Sequence, residues 1–396
     1  MKKKVLFVIN NLNCGGAEKA LISLLQLMDY SRYEVDLLLL KKEGLFLENV
    51  PKEVHVLPSP KEMRYFDMSI KRALIDSLKQ FRWDVFFARI GAVYVLKTER
   101  NVNVREQKMW KFLSFCLKKV DKKYDVAIGY LQKTPNYFCI EKVTASKKIA
   151  FVHTDYKQAK MDSSIDHPYF SKFDDIVTVS ETCKQILEEE FPECLPKLSV
   201  MHNIVSSTLI RKMADEPIET LDGQVTLISI GRLVELKGYD LIVAAGRILR
   251  ESGVTNFKWY IIGEGPMRAQ LDDMIAQQQL QNHFVFLGVK DNPYPYIKNV
   301  DVVVHASRFE GKSIAIDEAK ILNKPIVVTN FETVFDQIEH GVNGLIVSMT
   351  SAEIANAIQR ILNHSDLKRT LVSNLEKEQK GNESEIDVLY SLLNKK

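Results

Sequence analysis

The chain has 396 residues, 46% hydrophobic and 27% charged. That composition fits a globular protein and excludes a disordered, collagen-like or membrane-embedded one. The net charge of +3 hides an asymmetry. Residues 1–205 carry 33 Lys and Arg against 26 Asp and Glu, whereas residues 206–396 carry 21 against 25. At about 150 residues per domain the length predicts two or three domains, and two of near-equal size each bury a core of their own.

Five cysteines, with no CxxC pair, exclude a disulfide framework or zinc site and fit a reducing cytoplasm. Lys2-Lys3-Lys4 followed by Val5–Ile9 superficially resembles a secretion signal. The apolar stretch is too short, however, and runs into Asn10-Asn11. No apolar run approaches the ~18 residues that a spanning helix needs.

In chain order the pattern is strand, turn, helix. Val5–Asn10 reads as a buried parallel strand, Asn11–Ala17 as a glycine-bearing turn, Glu18–Met28 as a helix and Glu34–Leu40 as the next strand. Val85–Ala88, Asp125–Tyr130, Lys148–Val152, Ile176–Val179 and Leu198–His202 read as further strands, with a helix over Glu181–Phe191. Ile204–Gly223 is polar, holds Pro217, ends in Asp222-Gly223 and reads as a linker. The rhythm then restarts. Strands are expected at Val225–Ile230, Trp259–Gly263, Val285–Gly288, Val300–His305, Pro325–Thr329 and Leu345–Val347, and helices at Tyr239–Glu251, Pro266–Gln278, Ile314–Leu322 and Ala352–Leu362. This alternation predicts an α/β protein with two doubly wound parallel sheets. Ligands of such sheets sit beyond the carboxyl ends of the strands, and a cleft between two domains favours them.

Four strand-to-helix loops carry candidate chemistry. Gly15-Gly16 opens the first helix, where adjacent glycines permit close backbone approach and the helix end offers N–H groups to an anion; a tight turn explains the pair as well. Gly231-Arg232 and Lys237-Gly238 place two cations five residues apart, able to converge on a diphosphate or simply exposed. Gly263-Glu264-Gly265-Pro266, with Arg268 following, is a nucleotide-facing loop or plain helix punctuation. The richest is Ser307-Arg308-Phe309-Glu310-Gly311-Lys312-Ser313 leading into Ile314, Ala315 and Glu318. Its first helical amides, Ser313, Ile314 and Ala315, are expected to face an anion, and carboxylates beside such a cradle suit sugar and ribose hydroxyls. The stretch would be a phosphate-binding P-loop if Ala306 were Gly, but Phe309 and Glu310 suit that loop poorly. No Asp-x-Asp pair exists, so phosphate charge falls to Arg, Lys and helix dipoles, and no metal is expected. His153 ends a strand of the first half and is either structural or a ligand to substrate.

Taken in order, Gly231-Arg232…Gly238-Tyr239-Asp240, Gly263-x-Gly265-Pro266-x-Arg268 and Ser307-Arg308-x-Glu310-Gly311 with the Glu310-x7-Glu318 spacing resemble the GT4-type retaining glycosyltransferases. The resemblance is strongest over about residues 225–350, where Gly341-Val342-Asn343-Gly344 also fits, and is thinner in the first half. It implies a GT-B fold, two Rossmann-like domains facing each other across a cleft. The first would span residues 1–205 and bind acceptor, joined by a C-terminal helix over 383–396. The second would span 206–382 and bind donor. It further implies that Arg232 and Lys237 hold the donor diphosphate, Glu310 the sugar hydroxyls, Glu318 the ribose and the amides after Gly311 the phosphate. Gly15 and Gly16 would approach the phosphate or acceptor, and His153 the transferred sugar. Lys312-Ser313 departs from the family, which often has an aromatic and then a small residue there.

The implied activity is sugar transfer from a nucleotide-sugar, with uridine the commonest base, to a lipid-linked intermediate of a surface polysaccharide, at the inner face of a membrane. Residues 61–123 hold 16 basic against 7 acidic residues, interleaved with Phe66, Phe81, Trp83, Trp110, Phe112 and Phe115. They predict contact with anionic lipid. A nucleic-acid-binding protein using the same surface, which the acidic second half disfavours, and a nucleotide-sugar epimerase are the alternatives.

Overall fold

A computed structural model describes residues 2–13, 15–378 and 381–395; Cys14, inside the first glycine loop, lies outside them. The chain divides into two units, one of Met1–His202 with Ser384–Lys396 and one of Asn203–Glu383.

Among the described residues the first unit holds seven strands: β1 (Lys3–Ile9), β2 (Tyr33–Leu39), β3 (His55–Leu57), β4 (Lys123–Gly129), β5 (Thr144–Val152), β6 (Asp175–Thr178) and β7 (Leu198–Val200). They form one parallel sheet in the order β3-β2-β1-β4-β5-β6-β7. Val5 pairs with Val35 on one side and Val126 on the other, and all three are buried. Such runs are apolar on both faces because both faces of the sheet are covered. Helix α1 (Gly16–Leu27) follows β1 and buries Ala20, Leu21, Leu24 and Leu25. The helix Glu385–Asn394 also packs in this unit. Tyr390 stacks on Tyr33 at 5.3 Å, and its hydroxyl accepts the Asp29 N–H at 2.7 Å.

Between β3 and β4 the structure departs from the sequence expectation. Val85–Ala88 is not a strand but part of a helical insert: α2 (Ile70–Lys79), α3 (Trp83–Thr98) and α4 (Val102–Cys116). A four-residue apolar run reads equally as strand or buried helix. Helix α3 is apolar on both its inner and outer faces, which hides the 3.6-residue period. Trp110 is likewise not a surface aromatic. It is buried in the sheet core, with its indole N–H donating to Glu141 at 3.0 Å.

The second unit holds β8 (Val225–Ile230), β9 (Phe257–Ile262), β10 (Phe284–Gly288), β11 (Val302–His305), β12 (Ile326–Thr329) and β13 (Leu345–Val347), all parallel, in the order β10-β9-β8-β11-β12-β13. Its core includes Leu227, Trp259, Ile261 and Val304. The buried indole of Trp259 donates to Ser229 at 3.0 Å, and Ser229 to the Val304 carbonyl at 2.7 Å, so polar groups on three neighbouring strands are satisfied. Residues 204–223 are not a bare linker. They contain helix α5 (Ser207–Ala214), capped by Ser206, which buries Ile210 and Ala214 in this unit. Helices α6 (Tyr239–Glu251), α7 (Arg268–Gln277) and α8 (Ile314–Ile321) follow β8, β9 and β11.

Gly238, which opens α6, has φ +64°, and a Cβ there would lie 2.1 Å from the Ala306 carbonyl oxygen. Only glycine lets the loop after β8 press against the loop after β11. Gly238→Ala is expected to cost about 3 kcal/mol, from strain and the displaced backbone, and to lower the melting temperature. An unchanged melt would show that the two loops need not touch.

Candidate active site

The order of the second sheet reverses between β8 and β11, so the loops leaving their carboxyl ends diverge from one point. Open parallel sheets bind ligands at such a switch point. Residues 231–238 and 306–313 form these two loops, and they hold Gly231, Arg232, Lys237, Glu310, Gly311 and Ser313.

Arg308 knits them together. Its guanidinium grips Asp240 at 3.0 and 2.7 Å and donates to the Glu235 carbonyl, while its backbone N–H donates to Leu236 at 2.8 Å. Thr329 donates to the Ser307 carbonyl at 2.6 Å and Thr333 to that of Glu310 at 2.9 Å, tying the second loop to the end of β12 and the turn after it.

Glu310 is the centre. Its Oε1 pairs with the Lys237 ammonium, accepts the Ser307 hydroxyl at 2.7 Å and lies 3.1 Å from His305 Nε2. The pair is largely shielded, with side chains 14% exposed for Glu310 and 20% for Lys237. Burial alone would raise the Glu310 pKa. The Lys237 charge and the bond from His305 outweigh it and hold the carboxyl well below the usual carboxylate range. An ionised carboxylate only accepts, so His305 carries its proton on Nε2. Burial pushes the imidazole below its ordinary pKa despite Glu310, so it is neutral at pH 7. The loops thus hold a fixed anion, a fixed cation and a neutral imidazole in one place. Such a set can bind sugar hydroxyls and phosphate oxygens together.

Arg232 is exposed, and its side chain makes no hydrogen bond or ion pair among the described residues. Sequence reasoning paired it with Lys237 as an equal; the structure separates them into a solvent-facing arginine and a lysine engaged with Glu310. Ser313 requires a correction. Its N–H donates to Gln337 Oε1 at 2.9 Å, and Gln337 Nε2 returns bonds to the Ser313 carbonyl and Asp317, both at 2.8 Å. The Ser313 amide is therefore occupied from within and does not face an anion. The amides of Ile314 and Ala315, first in α8, have no acceptor in the protein among the described residues. The Ser313 hydroxyl lies 3.2 Å from His305 Nε2.

Glu318 is buried one turn into α8 and accepts the Tyr294 hydroxyl at 3.1 Å. Gly311 is buried. Gly263 follows β9, where a Cβ would lie 1.9 Å from the Gly231 carbonyl oxygen, so Gly263 serves close backbone approach. Arg268 lies over the Phe286 ring at 3.9 Å and bonds Asp272 at 3.0 Å. In the first unit Gly15 caps α1 in extended conformation and Gly16 begins that helix. His153 follows β5, stacks on Phe151 with ring centroids 5.8 Å apart and donates its backbone N–H to Gln132 at 3.1 Å. Among the described residues no group of three or more His, Cys, Asp and Glu is placed to hold a metal.

His305 and Gln337 escaped the sequence reading, and Ser307 and Arg308 stood in its motif without a role of their own. His305 was legible in principle, as a polar residue ending a four-residue buried strand five positions before Glu310. Gln337 lies 24 residues beyond Ser313 and gave no local signal.

Comparison with known proteins places this site in context. Residues 212–378 match the family described as glycosyl transferases group 1. An uncharacterised glycosyltransferase of Methanocaldococcus jannaschii is 29% identical over 173 residues, covering 42% of each chain. The N-acetylgalactosamine-N,N'-diacetylbacillosaminyl-diphospho-undecaprenol 4-alpha-N-acetylgalactosaminyltransferase of Campylobacter jejuni is 27% identical over 164 residues, 41% of this chain and 43% of its own. The chain thus spans less than half the length of both. In fold, Anabaena HepE, solved with UDP and glucose, superposes with a TM-score of 0.68 over 99% of this chain and 100% of its own, at 17% identity.

Proposed function

We propose that the chain is a glycosyl transferase of group 1, the family that its residues 212–378 match, and that it moves a sugar from a UDP-sugar to an acceptor, with retention and without a metal. The observation that carries this reading is the Lys237–Glu310–His305 cluster at the switch point of the second sheet. Lys237, Arg232 and the amides of Ile314 and Ala315 take the diphosphate. Glu310 takes sugar hydroxyls and Glu318 the ribose. Gly231, Gly263 and Gly311 let backbone approach the nucleotide, and Arg268 flanks it. In the first unit Gly15 and Gly16 serve the phosphate or acceptor, and His153 the transferred sugar.

The chemistry follows from charge. The bond from the anomeric carbon to the phosphate oxygen breaks, and negative charge builds on the leaving diphosphate. Fixed cations and amides stabilise it without reorganising. The acceptor oxygen bonds to the same carbon on the same face and gives its proton to a leaving phosphate oxygen, which retains configuration. The acceptor is proposed to be a lipid-linked precursor of a surface glycan, by analogy with the undecaprenol-linked substrate in the Campylobacter relative's name, and the enzyme to work in the cytoplasm at the inner membrane face.

A thermal-shift panel of UDP-, GDP- and ADP-sugars tests the donor. One UDP-sugar is expected to raise the melting temperature in proportion to the logarithm of its concentration. No shift with any nucleotide-sugar would remove the reading. Conversion of the donor sugar to an epimer with no acceptor present would favour an epimerase instead.

A further inference from the structure

Helix α3 is unusual in being largely apolar on two opposite faces, with Arg89 its one buried charge. Its inner face buries Val85, Ala88, Ala92 and Val95 against the rest of the insert. Gly91 marks the closest packing, since a Cβ there would lie 2.0 Å from the Phe112 ring on α4. The outer face carries Trp83, Phe87, Ile90 and Tyr94, each between 48% and 70% exposed. Their spacing of four, three and four residues puts them on one stripe about 16 Å long. A surface helix normally turns polar side chains to solvent opposite its buried face, so an apolar stripe in that place marks a contact surface.

The surroundings identify what covers it. The acidic side chains of the insert are answered locally: Asp84 pairs with Arg82 at 2.6 Å, and Glu99 with Lys108 at 2.7 Å. Lys71 and Lys79 on α2, Lys97 at the end of α3, Lys111 on α4 and Lys119 beyond it are exposed and make no ion pair among the described residues. Phe115 on α4 adds an aromatic 70% exposed. A second copy docking here about a two-fold axis would bring these cations face to face. An anionic surface is attracted by them, and aromatic side chains with flanking lysines suit the boundary between lipid headgroups and acyl chains.

We propose that the outer face of α3 is a membrane-docking surface, inserting Trp83, Phe87, Ile90 and Tyr94 into an anionic bilayer while the flanking lysines hold the headgroups. No helix of the described residues is long and apolar enough to cross the membrane, so the contact is interfacial. The inference deepens the reading of a lipid-borne acceptor and rests on it for its purpose, though not for the surface itself.

Co-sedimentation with vesicles tests it. The full chain is expected to bind vesicles of phosphatidylcholine and phosphatidylglycerol in equal parts, to lose most binding in high salt, and to ignore vesicles of phosphatidylcholine alone. Phe87→Ser with Tyr94→Ser changes two exposed side chains and is expected to weaken binding about tenfold or more, with the melting temperature unchanged. Lys111→Glu with Lys119→Glu is expected to weaken it at low salt only. Failure of the wild-type chain to bind anionic vesicles overturns the proposal. So does equal binding by the serine variant, or a solution dimer of the wild type that the serine variant dissolves while neither protein binds lipid. UDP-sugar binding by the serine variant stays at the wild-type level, so loss of docking and failure of the transferase reading are read from separate assays.

Discussion

Lys237→Ala is expected to lower turnover about a hundredfold with the fold retained, which corresponds to losing one preorganised charge that stabilises the leaving group. The effect is large because Lys237 is mostly shielded and fixed by Glu310 rather than waving in solvent. Its charge acts where water screens little and needs no reorganisation as the bond breaks. Arg232, exposed and unanchored among the described residues, is expected to matter less. The alanine variant also strands Glu310. Breaking a buried pair commonly costs 3–5 kcal/mol, and about 2 is expected here, because Ser307 and His305 still donate to the carboxylate and the pair is partly exposed. Circular dichroism separates the two effects. A native spectrum with turnover near zero supports the assignment, and Lys237→Arg should recover part of it. Turnover equal to wild type, with the true donor and acceptor, would falsify the role.

The second sheet was legible because its strands are short apolar runs separated by glycine turns, a pattern that few other structures produce. The motif loops were legible for the same reason: Gly238 and Gly263 are glycines because backbone meets backbone there, and Gly231 because its φ is +148°. What could not be read was who partners whom. Lys237 and Glu310 are 73 residues apart, and Arg308 and Asp240 are 68 apart. Only the adjacency of β8 and β11 brings them together, and strand order is not written in any local window. The Ser313 amide failed differently. Local logic assigned every first-turn amide to a ligand, whereas Gln337 from a distant turn took one of them. The helical insert failed because an outward-facing apolar stripe looks like a core to any rule based on hydrophobicity.

Glu310→Gln is expected to reduce turnover between about a hundredfold and a thousandfold, and its pH behaviour tells whether the reason is charge. The amide keeps the shape, and its oxygen can still accept from Ser307, Lys237 and His305, but it carries no negative charge to answer the Lys237 ammonium. The carboxyl is held below its ordinary value of 4.5 in the folded protein. Above 4.5 it is ionised in both states, and the native site holds that charge better than water does. Its contribution to stability is therefore complete there and is lost as the pH falls from 4.5 toward the depressed folded value. Thermal melts of wild type and Glu310→Gln are accordingly expected to differ most above pH 5 and to converge below 4.5. Both proteins keep His305, whose depressed pKa removes stability below 6.5 in either, so the difference reports chiefly on Glu310. A gap that widens as the pH falls would mean that Glu310 gains a proton on folding, and that the Lys237 ammonium does not keep it ionised for the sugar.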